Sequence, residues 1–155
     1  MRIRCAIVGG SGYTGGELLR ILLAHQGAEV TVVTSRRFAG KGIGELFPYL
    51  QGLTGISFED YSIDAIKRRA QVAFTAVPHQ AAMPVVRELL DAGLKVIDLS
   101  ADFRLRDPET YEAWYGEHSE KDLIKRAVYG LPEIYRGQIE GADLVANPGC
   151  YPTSS

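Results

Sequence analysis

Residues 2–20 read Arg2-Ile3-Arg4-Cys5-Ala6-Ile7-Val8-Gly9-Gly10-Ser11-Gly12-Tyr13-Thr14-Gly15-Gly16-Glu17-Leu18-Leu19-Arg20, and this stretch decides the fold class. Arg2 to Val8 has the short apolar run of a buried strand, and between Gly12 and Gln26 the residues Leu18, Leu19, Leu22 and Leu23 fall at helical spacing. The glycines between them make a strand-to-helix turn. Gly10-Ser11-Gly12-Tyr13-Thr14-Gly15 fits G-x-G-x-x-G, and Gly9 fits an overlapping G-x-x-G-x-x-G. A strand before the motif and a helix after it make this weak pattern a dinucleotide-binding fingerprint. The first amides of a helix have no partner within it and point at an anion, and side chains on the glycines would block a pyrophosphate. Ser11 and Thr14 can add hydroxyl donors. The alternative for the motif alone is a turn that merely packs tightly; its position near the N-terminus and its flanks favour the cofactor.

Outward from this turn, β-branched or apolar runs recur at 29–34, 71–77, 94–99 and 142–147, with helical patterns at 63–69 and 80–92 between some of them. That alternation predicts a Rossmann-like, doubly wound α/β fold, a mostly parallel sheet with helices on both faces. Residues 36–58 carry glycines, Pro48 and little periodicity, and 102–126 read as short helices and loops. A last helix is expected near Pro152, where proline suits a first turn and Thr153, Ser154 and Ser155 can cap. No repeat or low-complexity tract interrupts the chain, and 155 residues can bury one good core.

A net charge of -2 with mixed signs gives no basic face for nucleic acid, and no Lys/Arg run suggests a membrane surface. No apolar stretch approaches the roughly 18 residues that span a bilayer, and the first apolar run breaks at Gly9–Gly10, unlike a signal peptide. A cytoplasmic location is therefore expected. The two cysteines, Cys5 and Cys150, stand at opposite ends of the chain, and with three scattered histidines they form neither a disulfide framework nor a zinc pattern. His25 and His118 read as surface residues.

After the second strand an NAD enzyme usually places an acidic residue for the ribose hydroxyls. Here the chain reads Thr34-Ser35-Arg36-Arg37. Ser35 and the forked, permanently charged guanidinium groups of Arg36 and Arg37 suit a 2′-phosphate, so NADP(H) is preferred over NAD. The plainer alternative is a solvated basic pair.

Asn147-Pro148-Gly149-Cys150-Tyr151-Pro152-Thr153 follows an apolar strand, so Cys150 emerges at a strand's C-terminal end, where open α/β sheets bind ligands. A helix starting there would favour the thiolate. The alternative, a small buried hydrophobe, suits Cys5 in the first strand. His79, behind Pro78 at the end of a strand, is a candidate cofactor contact or a helix start. Ser100 and Arg104 are candidate anion donors, with an Asp102–Arg104 ion pair as the alternative for the arginine. Asn147 is a candidate oxyanion donor or simply a turn former.

Together the glycine turn and the cysteine turn resemble the N-acetyl-gamma-glutamyl-phosphate reductase family of the semialdehyde dehydrogenase superfamily. Thr34-Ser35-Arg36, Pro78-His79, Asp98-Leu99-Ser100-Ala101-Asp102-Phe103-Arg104 and Tyr129-Gly130-Leu131-Pro132-Glu133 extend the likeness along the whole chain. The resemblance implies an NADP-binding domain over 1–149, the start of a catalytic domain at 150–155, and a further substrate-binding half that carries the acid/base histidine. It implies a small acyl-phosphate substrate, a thioester on Cys150, and an aldehyde product of arginine biosynthesis. A longer form is expected to be a homo-oligomer, and the chain alone to bind NADP with little turnover. The nearest rival, the lysine-pathway aminoadipyl-phosphate reductase, is disfavoured by the residues around Cys150; an NADP-binding module without catalysis is the alternative from another class.

Overall fold

The computed structural model describes residues Met1–Ser155, which divide into two compact units, Met1–Ala76 and Val77–Ser155. The sequence shows no linker at that boundary. No helix is long and apolar enough to cross a membrane.

In the first unit, β1 (Ile3–Val8), β2 (Ala28–Val33) and β3 (Val72–Thr75) alternate with α1 (Tyr13–Ala24), α2 (Ile43–Leu46) and α3 (Ile63–Arg69), with a 3-10 turn at Pro48–Leu50. The strand β1 is central and parallel to both neighbours, with Ile7 opposite Val33 and Phe74. Parallel pairing buries both faces of a strand, hence the unbroken Cys5-Ala6-Ile7-Val8 run, which is buried throughout. Leu19 and Leu22 of α1 close over Cys5, Ile7, Val30 and Val33, joined by Ile43, Phe47, Leu50 and Phe58 from the glycine-bearing segment without periodicity. Fully burying such a side chain contributes about 1.5–3 kcal/mol, so this irregular segment is held by its apolar residues. Ser62 caps α3, its hydroxyl accepting from the Ala65 amide at 3.3 Å.

The second unit contains α4 (Ala82–Asp91), β4 (Lys95–Asp98), α5 (Pro108–Tyr115), α6 (Lys121–Arg126), β5 (Val128–Tyr129), α7 (Pro132–Gly141), β6 (Leu144–Ala146) and α8 (Cys150–Ser154). Here β6 is central and parallel to β4 and β5, with Ala146 opposite both Asp98 and Tyr129. Asp107 caps α5 by accepting from the Thr110 amide at 2.9 Å and hydroxyl at 2.6 Å, with Pro108 in the first turn.

The expected strands are present with ends that differ by at most two residues, and the short helices expected over 102–126 are α5 and α6. The sequence reading misses β5, whose two residues are too few for a period, and α7, which is kinked at Tyr135. It also begins α4 too early, because Gln80 adopts a left-handed φ of 64°.

The approach of α1 is set by glycines. A Cβ on Gly15 would lie 2.3 Å from the Gly10 carbonyl oxygen, and one on Gly10 would lie 2.4 Å from Val33 Cγ1. Backbone cannot rotate aside, so Gly15→Ala is expected to cost about 1–3 kcal/mol in urea unfolding. A Cβ on Gly12 meets nothing within 4 Å, so Gly12→Ala should change stability by no more than about 0.5 kcal/mol.

Candidate functional site

The first unit offers an anion cradle. Gly9 takes a φ of 82°, and its amide donates to Thr34 Oγ1 at 3.2 Å while that of Gly10 donates to the Thr34 carbonyl at 2.9 Å. Thr34 is buried and donates its own amide to Ile7 O at 2.8 Å, so it clasps the glycine turn to the end of β2. Ser35 Oγ donates to Ser11 Oγ at 2.9 Å and accepts from the Phe38 amide at 3.3 Å. The helix α1 begins at Gly12 with no side-chain cap and no acidic residue in its first turn. Its first amides and positive end are thus available to a ligand. With space above Gly12 and Tyr13 and Thr14 exposed, these residues fit a dinucleotide pyrophosphate.

Arg36 and Arg37 are both exposed, and the structure separates them. The Arg37 guanidinium lies 5.3 Å from the centre of the Phe38 ring, a cation–π contact, whereas Arg36 has no ion pair. The sequence reading did not single out Gly16, where a Cβ would fall 2.6 Å from the Tyr49 hydroxyl and 2.8 Å from the Phe47 ring. The aromatic residues that require this glycine lie some thirty positions downstream, out of reach of a local motif.

The second unit carries the thiol. Cys150 is a free, exposed cysteine and the first residue of α8, with Gly149 as its N-cap. Cys5 is buried as expected, and burial pushes its thiol up from the usual range. Beneath the Cys150 turn, Arg104 Nε donates to Asn147 O and Nη2 to Leu99 O, each at 2.8 Å. The alternative Asp102–Arg104 ion pair does not form. Asn147 Nδ2 donates to Pro148 O at 3.1 Å, the turn-forming arrangement of that side chain.

Ser100 is buried: its hydroxyl donates to Asp98 Oδ2 at 2.6 Å and accepts from the Asp102 amide at 3.0 Å. Its proton is thereby committed to the protein. Asp102 is fully buried; its carboxylate accepts from the Gln80 amide at 2.8 Å and from the Tyr111 hydroxyl at 2.7 Å. Burial first, and this bond second, push the Tyr111 hydroxyl above its usual range, so it remains a donor. His79 Nδ1 accepts from the Ala101 amide at 3.2 Å, and its ring meets Tyr115 edge-on at 5.8 Å. It therefore stands in a turn before α4.

The surface assignment of His118 is overturned: its ring is 1% exposed. Nε2 faces the Asp102 carbonyl at 2.8 Å, Nδ1 accepts from the Glu120 amide at 3.0 Å, and Phe103 and Tyr111 pack edge-on against the ring. Asp102, Phe103 and Tyr111, 7 to 16 residues earlier in sequence, draw it inside. His25 is exposed as expected, its Nδ1 accepting from the Gly27 amide at 3.1 Å. No three His, Cys, Asp or Glu side chains converge as metal ligands. One open cavity of about 400 Å³ is lined by Arg106, Lys125 and Arg126; the last two end α6, where cations suit the helix dipole.

Residues 4–142 match the family model described as semialdehyde dehydrogenase, NAD binding domain. The chain is 55% identical over 152 residues to the N-acetyl-gamma-glutamyl-phosphate reductase of Desulfotalea psychrophila, covering 98% of this chain and 44% of that protein. It is 51% identical over 154 residues to the LysW-L-2-aminoadipate/LysW-L-glutamate phosphate reductase of Sulfolobus acidocaldarius, covering 99% and 44%. The chain thus spans about 44% of the length of these curated relatives. Among solved structures, aspartate semialdehyde dehydrogenase II from Vibrio cholerae superposes with a TM-score of 0.67 at 17% identity, over 97% of this chain and 43% of that one. The Candida albicans aspartate semialdehyde dehydrogenase with NADP gives 0.63 at 15%, over 96% and 43%. These likenesses establish the Rossmann-like fold.

The buried carboxylate of Asp102 holds Gln80 in its left-handed conformation. Asp102→Asn should lower stability by about 1–3 kcal/mol, the cost of a buried acceptor lost. In that background Gln80→Gly should recover part of the loss, up to about 1 kcal/mol, because glycine adopts this φ without strain. Chemical denaturation of the two variants measures both.

Proposed function

This chain belongs to the semialdehyde dehydrogenase family through its NAD-binding domain, and from that premise we propose that it is the cofactor-binding, nucleophile-bearing part of an NADP-dependent acyl-phosphate reductase. The substrate on this reading is N-acetyl-gamma-glutamyl phosphate and the product N-acetylglutamate 5-semialdehyde. The observation that carries the reading is the exposed Cys150 thiol on a turn braced from below, in a chain that also holds an uncapped glycine turn.

Cys150 Sγ, as thiolate, attacks the acyl carbon of the acyl phosphate. The carbon–oxygen bond to phosphate breaks, and a thioester forms as inorganic phosphate leaves. The hydride that reduces the carbonyl carbon of that thioester would be supplied by NADPH when it is bound. The resulting thiohemiacetal collapses, releasing the aldehyde and returning the thiolate to Cys150. Its proton balance requires an acid/base, which the family resemblance assigns to a histidine in a further half of the protein; none of His25, His79 and His118 fits that motif. Within the first unit, Gly10, Ser11, Gly12, Tyr13, Thr14 and Gly15 would hold the pyrophosphate and the exposed Arg36 the 2′-phosphate. Arg104 Nη1 is left uncommitted by the two carbonyl bonds, whereas the Asn147 amide is turned to Pro148 O.

A second substrate reading has a specific basis, since the Sulfolobus acidocaldarius relative named for LysW-linked substrates is 51% identical. The two relatives' names share phosphate reduction, and the thiol and cofactor residues serve either acyl chain. The arginine-pathway substrate is preferred on Asn147-Pro148 and Tyr151-Pro152.

A full-length form containing this chain should catalyse phosphate-dependent reduction of NADP by N-acetylglutamate semialdehyde, and Cys150→Ser should abolish it; undiminished activity in the variant would sink the covalent mechanism. Preference for a LysW-linked aldehyde would transfer the reading to the second substrate. Arg36→Ala should weaken NADP binding about tenfold or more by calorimetry, as one charged hydrogen bond contributes about 1.5–3 kcal/mol, and leave NAD unchanged. Arg37→Ala should do less, since its guanidinium rests on Phe38. Equal losses of NADP and NAD would reject the 2′-phosphate assignment.

A further inference from the structure

The strands β4 and β6 run parallel and in register as far as Asp98 and Ala146, and their last backbone bond is Asn147 N–H to Asp98 O at 2.8 Å. Beyond it the chains part, one into the 99–104 segment and the other into the cysteine turn. The next two carbonyls, Leu99 O and Asn147 O, would end the ladder unpaired. Both are taken by one planar guanidinium, Arg104, through Nη2 and Nε at 2.8 Å each. A side chain thus supplies one more rung where backbone pairing stops.

The turn itself is otherwise closed on its own residues. Pro148 O accepts from Asn147 Nδ2 at 3.1 Å, and Gly149 O accepts from Thr153 Oγ1 at 2.9 Å and from the Thr153 amide at 3.3 Å. Of the three carbonyls leading to Cys150, only that of Asn147 takes a donor from outside residues 147–153. Arg104 is therefore the tie between this turn and the segment after β4. Its third nitrogen, Nη1, lies 3.2 Å from where a Cβ on Gly149 would stand. Gly149 has an ordinary φ of -69°, so the space for Nη1, and not backbone strain, is what a side chain there would disturb. A charge that never titrates is fixed beside the residue that precedes the thiol.

We propose that Arg104 is the positioning residue of Cys150: its guanidinium bridges Leu99 O and Asn147 O and so fixes the direction and electrostatic surroundings of the thiol. The catalytic meaning rests on the reading of Cys150 as nucleophile, but the positioning does not. Lysine keeps the charge but cannot reach two carbonyls with a planar fork, so Arg104→Lys separates charge from bridging.

The experiment is alkylation of Cys150 in this chain by neutral iodoacetamide and anionic iodoacetate across a pH series, with buried Cys5 as silent internal control. A positive group held near the thiol favours the anionic reagent, so the iodoacetate-to-iodoacetamide rate ratio should fall about threefold or more in Arg104→Met. Added methylguanidinium should restore much of it, and Arg104→Lys should give an intermediate ratio. A general loosening of the unit would raise both rates together and leave the ratio unmoved. If Arg104→Met does not fold, Arg104→Lys carries the test, with a smaller fall in the ratio expected. In the full-length enzyme, Arg104→Lys should lower kcat about tenfold or more with a smaller change in KM, as expected when a nucleophile is misaimed. An unchanged ratio, or no rescue by methylguanidinium, would overturn the proposal. Activity persisting in Cys150→Ser would instead overturn the catalytic reading and leave the alkylation result standing.

Discussion

The backbones of Gly10 and Gly15 touch so closely that no methyl group fits between them, and the order of the first unit follows from that contact. It brings the start of α1 down onto the end of β1, which lets Leu19 and Leu22 close over Ile7 and Val33. The same approach presses Gly10 onto Val33 and leaves the turn within reach of Thr34, which accepts from the Gly9 and Gly10 amides. A turn held this way needs no side-chain cap for α1, and none is present. The amides that a capping serine or aspartate would have occupied remain open to an anion. Packing and ligand binding are thus demands of one constraint, made separable by Gly12, which is open, and Gly15, which is not.

The second unit solves a different problem. Its turns after β4 and before α4 must present side chains, and they are set by hydrogen bonds to buried polar groups. Asp98, Ser100, Asp102, Tyr111 and His118 are all buried, and no buried side-chain nitrogen or oxygen lacks a partner. A partly satisfied network of this kind would cost more than an apolar core; a fully satisfied one rigidifies what it touches. Asp102 has all four of its polar groups engaged, and through Gln80 it holds a backbone conformation that no other non-glycine residue of the chain adopts.

What the sequence made legible divides along the same line. The strand–turn–helix of residues 2–26, the parallel arrangement and the exposed position of Cys150 follow from local period and turn chemistry. The partition of roles within motifs did not. Arg36 and Arg37 are equivalent as letters, and only the contact with Phe38 tells them apart. Ser100 and Arg104 read as anion donors because both side chains can donate; the structure shows the serine proton given to Asp98 and two guanidinium nitrogens given to backbone carbonyls. His118 read as a surface residue, while Asp102 and Tyr111, which draw it inside, lie 16 and 7 residues before it. Residues whose partners lie within one turn are legible from a single sequence; those whose partners lie across a fold are not.

The contrast between the two units has a physical reason. Apolar burial is strong but non-directional, and it suffices where the ligand is met by backbone amides whose positions are already fixed by the helix. A nucleophilic side chain must be aimed, and aiming needs directional bonds at its root. Proline at 148 removes one amide and fixes one dihedral, Asn147 and Thr153 close the turn on itself, and there remains a single free carbonyl, that of Asn147. A donor for it must reach from another segment, bind a second fixed point to resist rotation, and keep its proton at every working pH. Arginine meets all three conditions with one rigid planar fork, which accounts physically for a guanidinium standing at position 104 beneath Cys150.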